Sequence, residues 1–115
     1  MKTNRFDDRC CFVCARPTIG IGVAPSARHK LGWLCDDPDC IPIGRGTYSM
    51  RQDEFTRIDR MASNAGGEVA GQYLDEIDKT DLAELTEEEW AEFLRKVVGG
   101  YRVALQTKLR DESPF

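Results

Sequence analysis

The chain has 115 residues, of which 41% are hydrophobic and 31% are charged. This length excludes a second full-sized domain, and the composition excludes a wholly disordered chain because it provides enough apolar material for a core. The sequence contains no run of about 18 uncharged apolar residues and no apolar leader of the signal-peptide type, so we expect a soluble, cytoplasmic protein.

Five cysteines lie within the first 40 residues, and their spacing predicts a metal site. Cys11 and Cys14 form a C-x2-C pair, and Cys35 and Cys40 form a C-x4-C pair further along the chain. Two thiolates in each tight turn can reach one tetrahedral ion, so we predict one structural zinc ion bound by these four residues. Two disulfides are the alternative, which the absence of an export signal disfavours.

Cys10 and His29 are the other candidate ligands. C-x2-C is commoner than C-x3-C in zinc turns, so Cys10 is expected to be a buried or idle thiol. His29 is the single histidine and lies in the polar segment 26–30. A solvated side chain, or one that touches a partner, is expected there rather than a ligand.

Two short apolar runs separate the cysteine pairs. Residues 19–23 alternate at period two, a turn-rich segment follows, and residues 31–34 form the second run. This pattern predicts a β-hairpin. A hairpin between two cysteine pairs is the layout of a zinc-ribbon or treble-clef finger, which we assign to residues 1–46.

The segment after the second pair is expected to be mostly irregular. Pro42 allows only a short helical turn, with Asp37 as its cap and Pro38 as its first residue. Residues 43–47 then serve as a connector to the rest of the chain.

Residues 47–115 are predicted to form an antiparallel α-helical hairpin. From about Arg51 the apolar period becomes helical for roughly 26 residues, and a break follows at residues 78–82. Thr86 and Glu89 form a capping box that starts a second helix. The apolar face of the second helix consists of Trp90, Phe93, Leu94, Val97, Val98, Tyr101, Ala104, Leu105 and Leu109. The predicted fold class is therefore small α+β, a zinc-ribbon or treble-clef-like four-cysteine finger followed by this hairpin.

Each predicted helix carries a glycine pair, at a cost of about 1 kcal/mol per glycine in a helix interior. If the helices fold back about a turn near Ala83, Gly66 faces Gly100 and Gly67 faces Gly99. We predict that the two pairs lie close together and permit a close helix approach. Two unrelated kinks are the alternative.

Charge is distributed unevenly along the chain. Residues 1–50 carry +2 and residues 51–115 carry −6, while residues 68–92 hold ten acidic residues and one basic residue, Lys79. An acidic chain disfavours sequence-independent nucleic-acid binding. The acidic stretch is either an ordinary solvated helix end or a docking surface for a basic protein. On the second interpretation the partner-binding residues are Asp75, Glu76, Asp81, Glu84, Glu88 and Glu92.

The chain resembles an uncharacterised family of small proteins of unknown function from alphaproteobacteria, their prophages and phages. The resemblance rests on residues 71–85, with the segment 79–82 as its most specific part, and on a G-x-G hairpin and an aromatic residue before the second cysteine pair. Here that pair has a longer spacing than the family pattern, which argues against a regular helix beginning at Cys40. The resemblance implies an N-terminal four-cysteine finger, a C-terminal helical region and a bacterial host cell, and it implies no activity.

Catalysis is not expected, because one histidine in a loop gives little basis for a nucleophile–base pair and a four-thiolate zinc has no open position. The favoured function is a protein-binding adaptor or inhibitor of phage type. Its basic partner would be transcription machinery or a defence nuclease complex, the kind of target that an anti-CRISPR protein has. The alternative is a small nucleic-acid-binding regulator that uses the finger hairpin through Arg28, His29, Lys30 and Trp33.

Overall fold

A computed structural model describes residues 5–112 of the chain. The outermost residues of both predicted modules, 1–4 and 113–115, lie outside the described residues. Strands β1 (Ile21–Val23) and β2 (Gly32–Leu34) are followed by helices α1 (Cys40–Thr47), α2 (Gln52–Glu76) and α3 (Glu87–Glu112), with a 3-10 turn at Leu82–Glu84 before α3. This part of the chain is thus a small α+β structure.

The β-hairpin between the two cysteine pairs is confirmed. β1 and β2 pair antiparallel, with Ile21 opposite Leu34 and Val23 opposite Gly32. The hairpin is short, and it brings the residue after β2, Cys35, back beside the first cysteine pair.

The segment after the second cysteine pair differs from its prediction. α1 begins at Cys40 and includes Pro42 and all of residues 43–47, so the predicted connector and the argument against a helix at this cysteine are both wrong. Pro42 is the third residue of α1, where a backbone N–H has no intrahelical acceptor, so the ring removes no hydrogen bond. Ile43 is buried in the core, and this tertiary contact favours a helix that local sequence signals do not indicate.

The two long helices form an antiparallel hairpin. α2 has 25 residues, close to the predicted length of roughly 26, and α3 has 26 residues. The capping box is confirmed, since the Glu89 backbone N–H donates to the Thr86 hydroxyl (3.1 Å) and the Thr86 N–H donates to the Glu89 carboxylate (2.9 Å). None of the helices within residues 5–112 combines the length and apolar character that crossing a membrane requires.

One glycine of each pair lies at the helix crossing. A Cβ on Gly100 would lie 2.9 Å from the Cα of Gly66, and a Cβ on Gly66 would overlap the backbone of α3. The predicted close approach is therefore confirmed for these two residues. Gly67 and Gly99 face open space and not each other, so the prediction is wrong for these two residues and their neighbours impose no demand for glycine.

The core joins the N-terminal part of the chain to one end of the hairpin. We call residues 5–47 the cysteine module. Its buried side chains pack in one cluster with those of α2 and α3, namely Cys11, Phe12, Val13, Cys14, Leu34, Cys35, Cys40, Ile43, Phe55, Ile58, Ala62, Leu105 and Leu109. The described residues extend 52 × 25 × 25 Å, and within residues 67–100 only Ala70 is fully buried. The far end of the hairpin consequently consists of two helices without a third layer.

Candidate metal centre and hairpin tip

The first cysteine pair lies in a tight turn. The Cys11 N–H donates to the Arg16 carbonyl and the Ala15 N–H donates to the Cys11 carbonyl, each at 2.8 Å. Ala15 closes the turn with φ at +65°, a conformation that residues with a Cβ seldom adopt. This geometry places the sulfurs of Cys11 and Cys14 on the same side of the turn, close to each other.

The second pair comes from two different elements. Cys35 follows β2 directly, and Cys40 is the first residue of α1. The Cys40 N–H donates to the Asp37 carbonyl (3.0 Å), and the Asp37 carboxylate accepts from the Asp39 N–H (2.9 Å). These hydrogen bonds fold the intervening loop so that both sulfurs point to the first pair.

The four sulfur atoms form one buried cluster. They all lie within 4.8 Å of one another, and none of the four residues is more than 3% exposed. The Sγ–Sγ distance is 3.4 Å between Cys14 and Cys35 and 3.7 Å between Cys35 and Cys40. All four cysteines are free of disulfides. The four residues that the spacing selected are therefore brought together in an arrangement that could hold a metal ion.

The thiols share protons within this cluster. Hydrogen bonds from the Cys14 and Cys40 thiols lower the pKa of Cys11. The same hydrogen bonds with Cys11 raise the pKa of Cys14 and of Cys40, and burial adds to both shifts. A cation at the centre would replace the shared protons, since metals bind cysteine as the thiolate.

A polar stripe on α3 approaches the cluster, and sequence reasoning missed it. The Gln106 side-chain amide donates to the Asp37 carboxylate (2.8 Å) and to the Cys40 sulfur (3.4 Å). One turn further on, Arg110 lies 3.8 Å from the carboxylate of Asp39. The available signal was the four-residue spacing of Arg102, Gln106 and Arg110 together with the acidic loop between the cysteines.

Two arginines line a small hollow beside the cluster. Arg16 and Arg102 line this hollow together with Cys14, Asp37 and Gln106. Within residues 5–112 the Arg102 Nε atom is buried and donates no hydrogen bond. Positive charge therefore stands next to the sulfurs, where a cluster of thiolates would be stabilised by it.

Cys10 and His29 are not part of the cluster. Cys10 is exposed, which agrees with an idle thiol and not with a buried one. His29 is exposed in the hairpin loop, where its Nδ1 lies 2.7 Å from the Ser26 hydroxyl and its ring contacts Tyr48 edge-on.

The residues named for nucleic-acid binding lie at the hairpin loop of the cysteine module. Arg28 and Lys30 are exposed, whereas Trp33 is half-buried in β2. An open groove of about 700 Å³ lies beside the loop and is lined in part by Arg45 and Tyr48. Arg45 thus lines the groove, whereas Arg28 and Lys30 are exposed on the adjoining loop and Trp33 is partly covered.

The acidic residues gather at the opposite end of the molecule, which we call the acidic tip (residues 68–92). The six residues named from the sequence lie in the last turn of α2 (Asp75, Glu76), at the 3-10 turn (Asp81, Glu84) and in the first turns of α3 (Glu88, Glu92). Two of them have partners, since Asp81 caps the 3-10 turn and Glu92 pairs with basic residues of α3. The other four are exposed and form no ion pair within the described residues.

Comparison with known proteins yields a family but no activity. The model of a family of unknown function, DUF6511, matches residues 53–115, which is more than half of the chain and includes α3 and all of α2 except its first residue. No curated protein and no solved structure matches the chain.

Proposed function

We propose that this chain, which belongs to the family of unknown function DUF6511, is a non-enzymatic, zinc-stabilised protein-binding module that docks a basic protein through its acidic tip. The observation that carries the docking proposal is the set of exposed carboxylates that form no ion pair within the described residues. The most specific form of the proposal is a phage-associated adaptor or inhibitor acting on transcription machinery or on a defence nuclease complex.

The sulfur geometry supports zinc at the candidate metal centre. Four sulfurs placed about 2.3 Å from one zinc ion in a tetrahedron lie about 3.8 Å apart. The distances from Cys35 to Cys14 and to Cys40, 3.4 and 3.7 Å, are near this value. One zinc and four thiolates carry a net charge of about −2, which Arg16 and Arg102 would offset. Because four thiolates leave no position for water, this site supports a structural role and not catalysis.

The position of the acids supports a functional interpretation of the tip. Carboxylates are favourable at the N-terminus of a helix and unfavourable at its C-terminus. The last turn of α2 contains Asp75 and Glu76 and no basic residue, so these two charges oppose the helix dipole. An ordinary solvated helix end has no need of this arrangement, whereas a basic partner would neutralise it.

Charge reversal at the tip tests the docking proposal. The triple variant Asp75→Lys, Glu84→Lys and Glu88→Lys removes three exposed charges of the tip. The matched control, Asp8→Lys, Asp53→Lys and Asp111→Lys, makes the same change in net charge at exposed sites away from the tip. In quantitative pull-downs from the native host, basic proteins captured by the wild type should be retained by the control and lost with the tip variant. Equal retention by both variants would refute docking through the tip.

A second candidate function is nucleic-acid binding through the β-hairpin loop, favoured by the exposed Arg28 and Lys30 on that loop and by the neighbouring groove that Arg45 lines. Such binding should weaken steeply as salt rises, because it depends on neutralising phosphates. Gel shifts at low salt with Arg28→Glu plus Lys30→Glu test it. A salt-sensitive complex lost in this variant supports the second function, and the absence of any complex excludes it.

A further inference from the structure

One apolar strip of α3 is covered at one end and bare at the other. Leu94, Val98, Leu105 and Leu109 follow one another at spacings of four, seven and four residues, so they lie on the same face of the helix. Leu105 and Leu109 are fully buried in the cluster shared with the cysteine module. Leu94 and Val98 are 42% and 43% exposed. The cysteine module therefore covers only the C-terminal half of this strip.

The bare half carries a negative charge at its end. Glu87 precedes Leu94 by seven residues and lies on the same face, at the start of α3. Glu87 and its neighbour Glu88 form no ion pair within the part of the chain that the structure describes. The acidic tip thus adjoins one end of the apolar strip, and Arg95, which pairs with Glu92, follows Leu94 directly. An apolar centre with charged residues next to it is the pattern of an interface.

We propose that the strip formed by Leu94 and Val98 is the apolar centre of the docking surface, and that its occupant is an amphipathic helix with basic residues along its rim. This inference rests on the proposed function, since it names the kind of partner that the acidic tip binds. The surface that runs from Glu87 at the acidic end to Val98 is about 16 Å long, which is the length of about three turns of a partner helix.

Charge argues against a parallel dimer of this chain as the occupant. A symmetric dimer in which the two α3 helices run parallel would bring two acidic tips together, each with ten acidic residues and one basic residue. Like charges facing each other across an interface are unfavourable, and a basic helix is attracted by the same field.

Two exposed valines of α3 provide a matched test. Val98 lies on the strip, whereas Val103, which is 66% exposed, lies on a different face of the same helix, at the hollow beside the metal centre. Val98→Asp and Val103→Asp place the same charge at exposed helical positions. The probe is a designed amphipathic helical peptide of leucine and lysine, with a scrambled peptide of equal composition as its control, and binding is measured by isothermal titration calorimetry.

We expect the amphipathic peptide to bind the wild type and Val103→Asp equally and to bind Val98→Asp about tenfold more weakly. Circular dichroism should show equal helix content in both variants, and elemental analysis should show equal zinc content. Absence of binding to the wild type, equal binding of the scrambled peptide, or equal affinities of the two variants would overturn the apolar strip. Self-association that Val98→Asp prevents, detected by sedimentation, would identify a second copy as the occupant and equally overturn the proposal.

The same titration separates this proposal from the proposed function. If the tip reversal Asp75→Lys, Glu84→Lys and Glu88→Lys weakens peptide binding while Val98→Asp does not, the acidic tip stands and the strip is excluded. If Val98→Asp weakens binding and the reversal has no effect, the strip stands and docking through charge is excluded.

Discussion

The cysteine module contains two three-residue strands and one eight-residue helix, whereas the hairpin helices contain 25 and 26 residues. In the module the four clustered cysteines are at most 3% exposed and hold the short elements together through their side chains. In the outer half of the hairpin almost nothing is fully buried, and backbone hydrogen bonds with a capping box define the structure. Side-chain contacts thus stabilise one end of the molecule, and local helix formation stabilises the other. The two ends should therefore unfold under different conditions.

Metal removal should produce the largest difference between the two ends. Because the free energy of binding a structural zinc is also free energy of folding, a chelator or Cys14→Ser should unfold the cysteine module and leave helix content at the tip. Trp33 lies in the module and Trp90 in the tip, so Trp90→Phe and Trp33→Phe each leave one fluorescent reporter. Elemental analysis should return one zinc per chain, and chelation should shift the emission of Trp33 far more than that of Trp90.

The outcome that contradicts this prediction is a metal-free protein in which the Trp33 emission is unchanged.

Acidification provides an independent check on the same centre. The pKa values of Cys14 and Cys40 are raised in the cluster without metal, so their protons must leave when the ion binds. Zinc affinity should therefore rise with pH and fall as these thiols become protonated.

Substitution of the glycines in the helical hairpin should give the next largest effect on the free energy of unfolding. The two positions of each pair, 66–67 and 99–100, should give effects of opposite sign. Gly66→Ala or Gly100→Ala forces the helices apart at their crossing and should destabilise the protein by about 1–3 kcal/mol. Gly67 and Gly99 face open space. Gly67→Ala and Gly99→Ala should therefore stabilise the protein by about 0.5–1 kcal/mol, because alanine loses less backbone entropy than glycine when a helix forms. Urea denaturation of the four single variants measures both signs, and a uniform response within a pair would disprove the close approach.

These two ends also differ in how far the sequence could predict them. The cluster of four cysteines and the capping box could be predicted because each follows from a local sequence pattern. The crossing at Gly66 and Gly100 could be predicted because it follows from a simple fold-back of two helices. The helix at residues 43–47 could not be predicted, since it depends on the burial of Ile43, which the local sequence does not indicate. The apolar face of α3 was predicted as one surface, but helical period shows only which side is apolar and not where a covering layer ends.

Gln106 offers a smaller perturbation at the boundary between the two ends. Its amide donates to Cys40 and to Asp37, so it connects α3 to the second cysteine pair. Hydrogen bonds from outside the ligand shell orient the ligands, and their loss commonly weakens metal affinity by about 10-fold or more. Gln106→Leu should therefore lower zinc affinity about tenfold in a chelator competition, while Thr107→Val, at the adjacent exposed position, should leave it unchanged. Equal affinities would show that the contact does not support the metal centre.

The smallest expected effect lies in the capping box at the start of α3. Thr86→Ala removes the hydroxyl that accepts from the Glu89 N–H and should destabilise the protein by about 1 kcal/mol. Glu89 adds a pH dependence, because hydrogen bonds from Lys79 and from the Thr86 N–H lower its pKa. A lowered folded-state pKa contributes stability above the ordinary pKa of about 4.3, and this contribution is lost as the pH falls through the folded-state value. Thermal melts between neutral and acidic pH should show this loss in the wild type and a smaller one in Glu89→Gln. A tip that melts identically in both proteins at every pH would mean that the capping box does not stabilise this end of the hairpin.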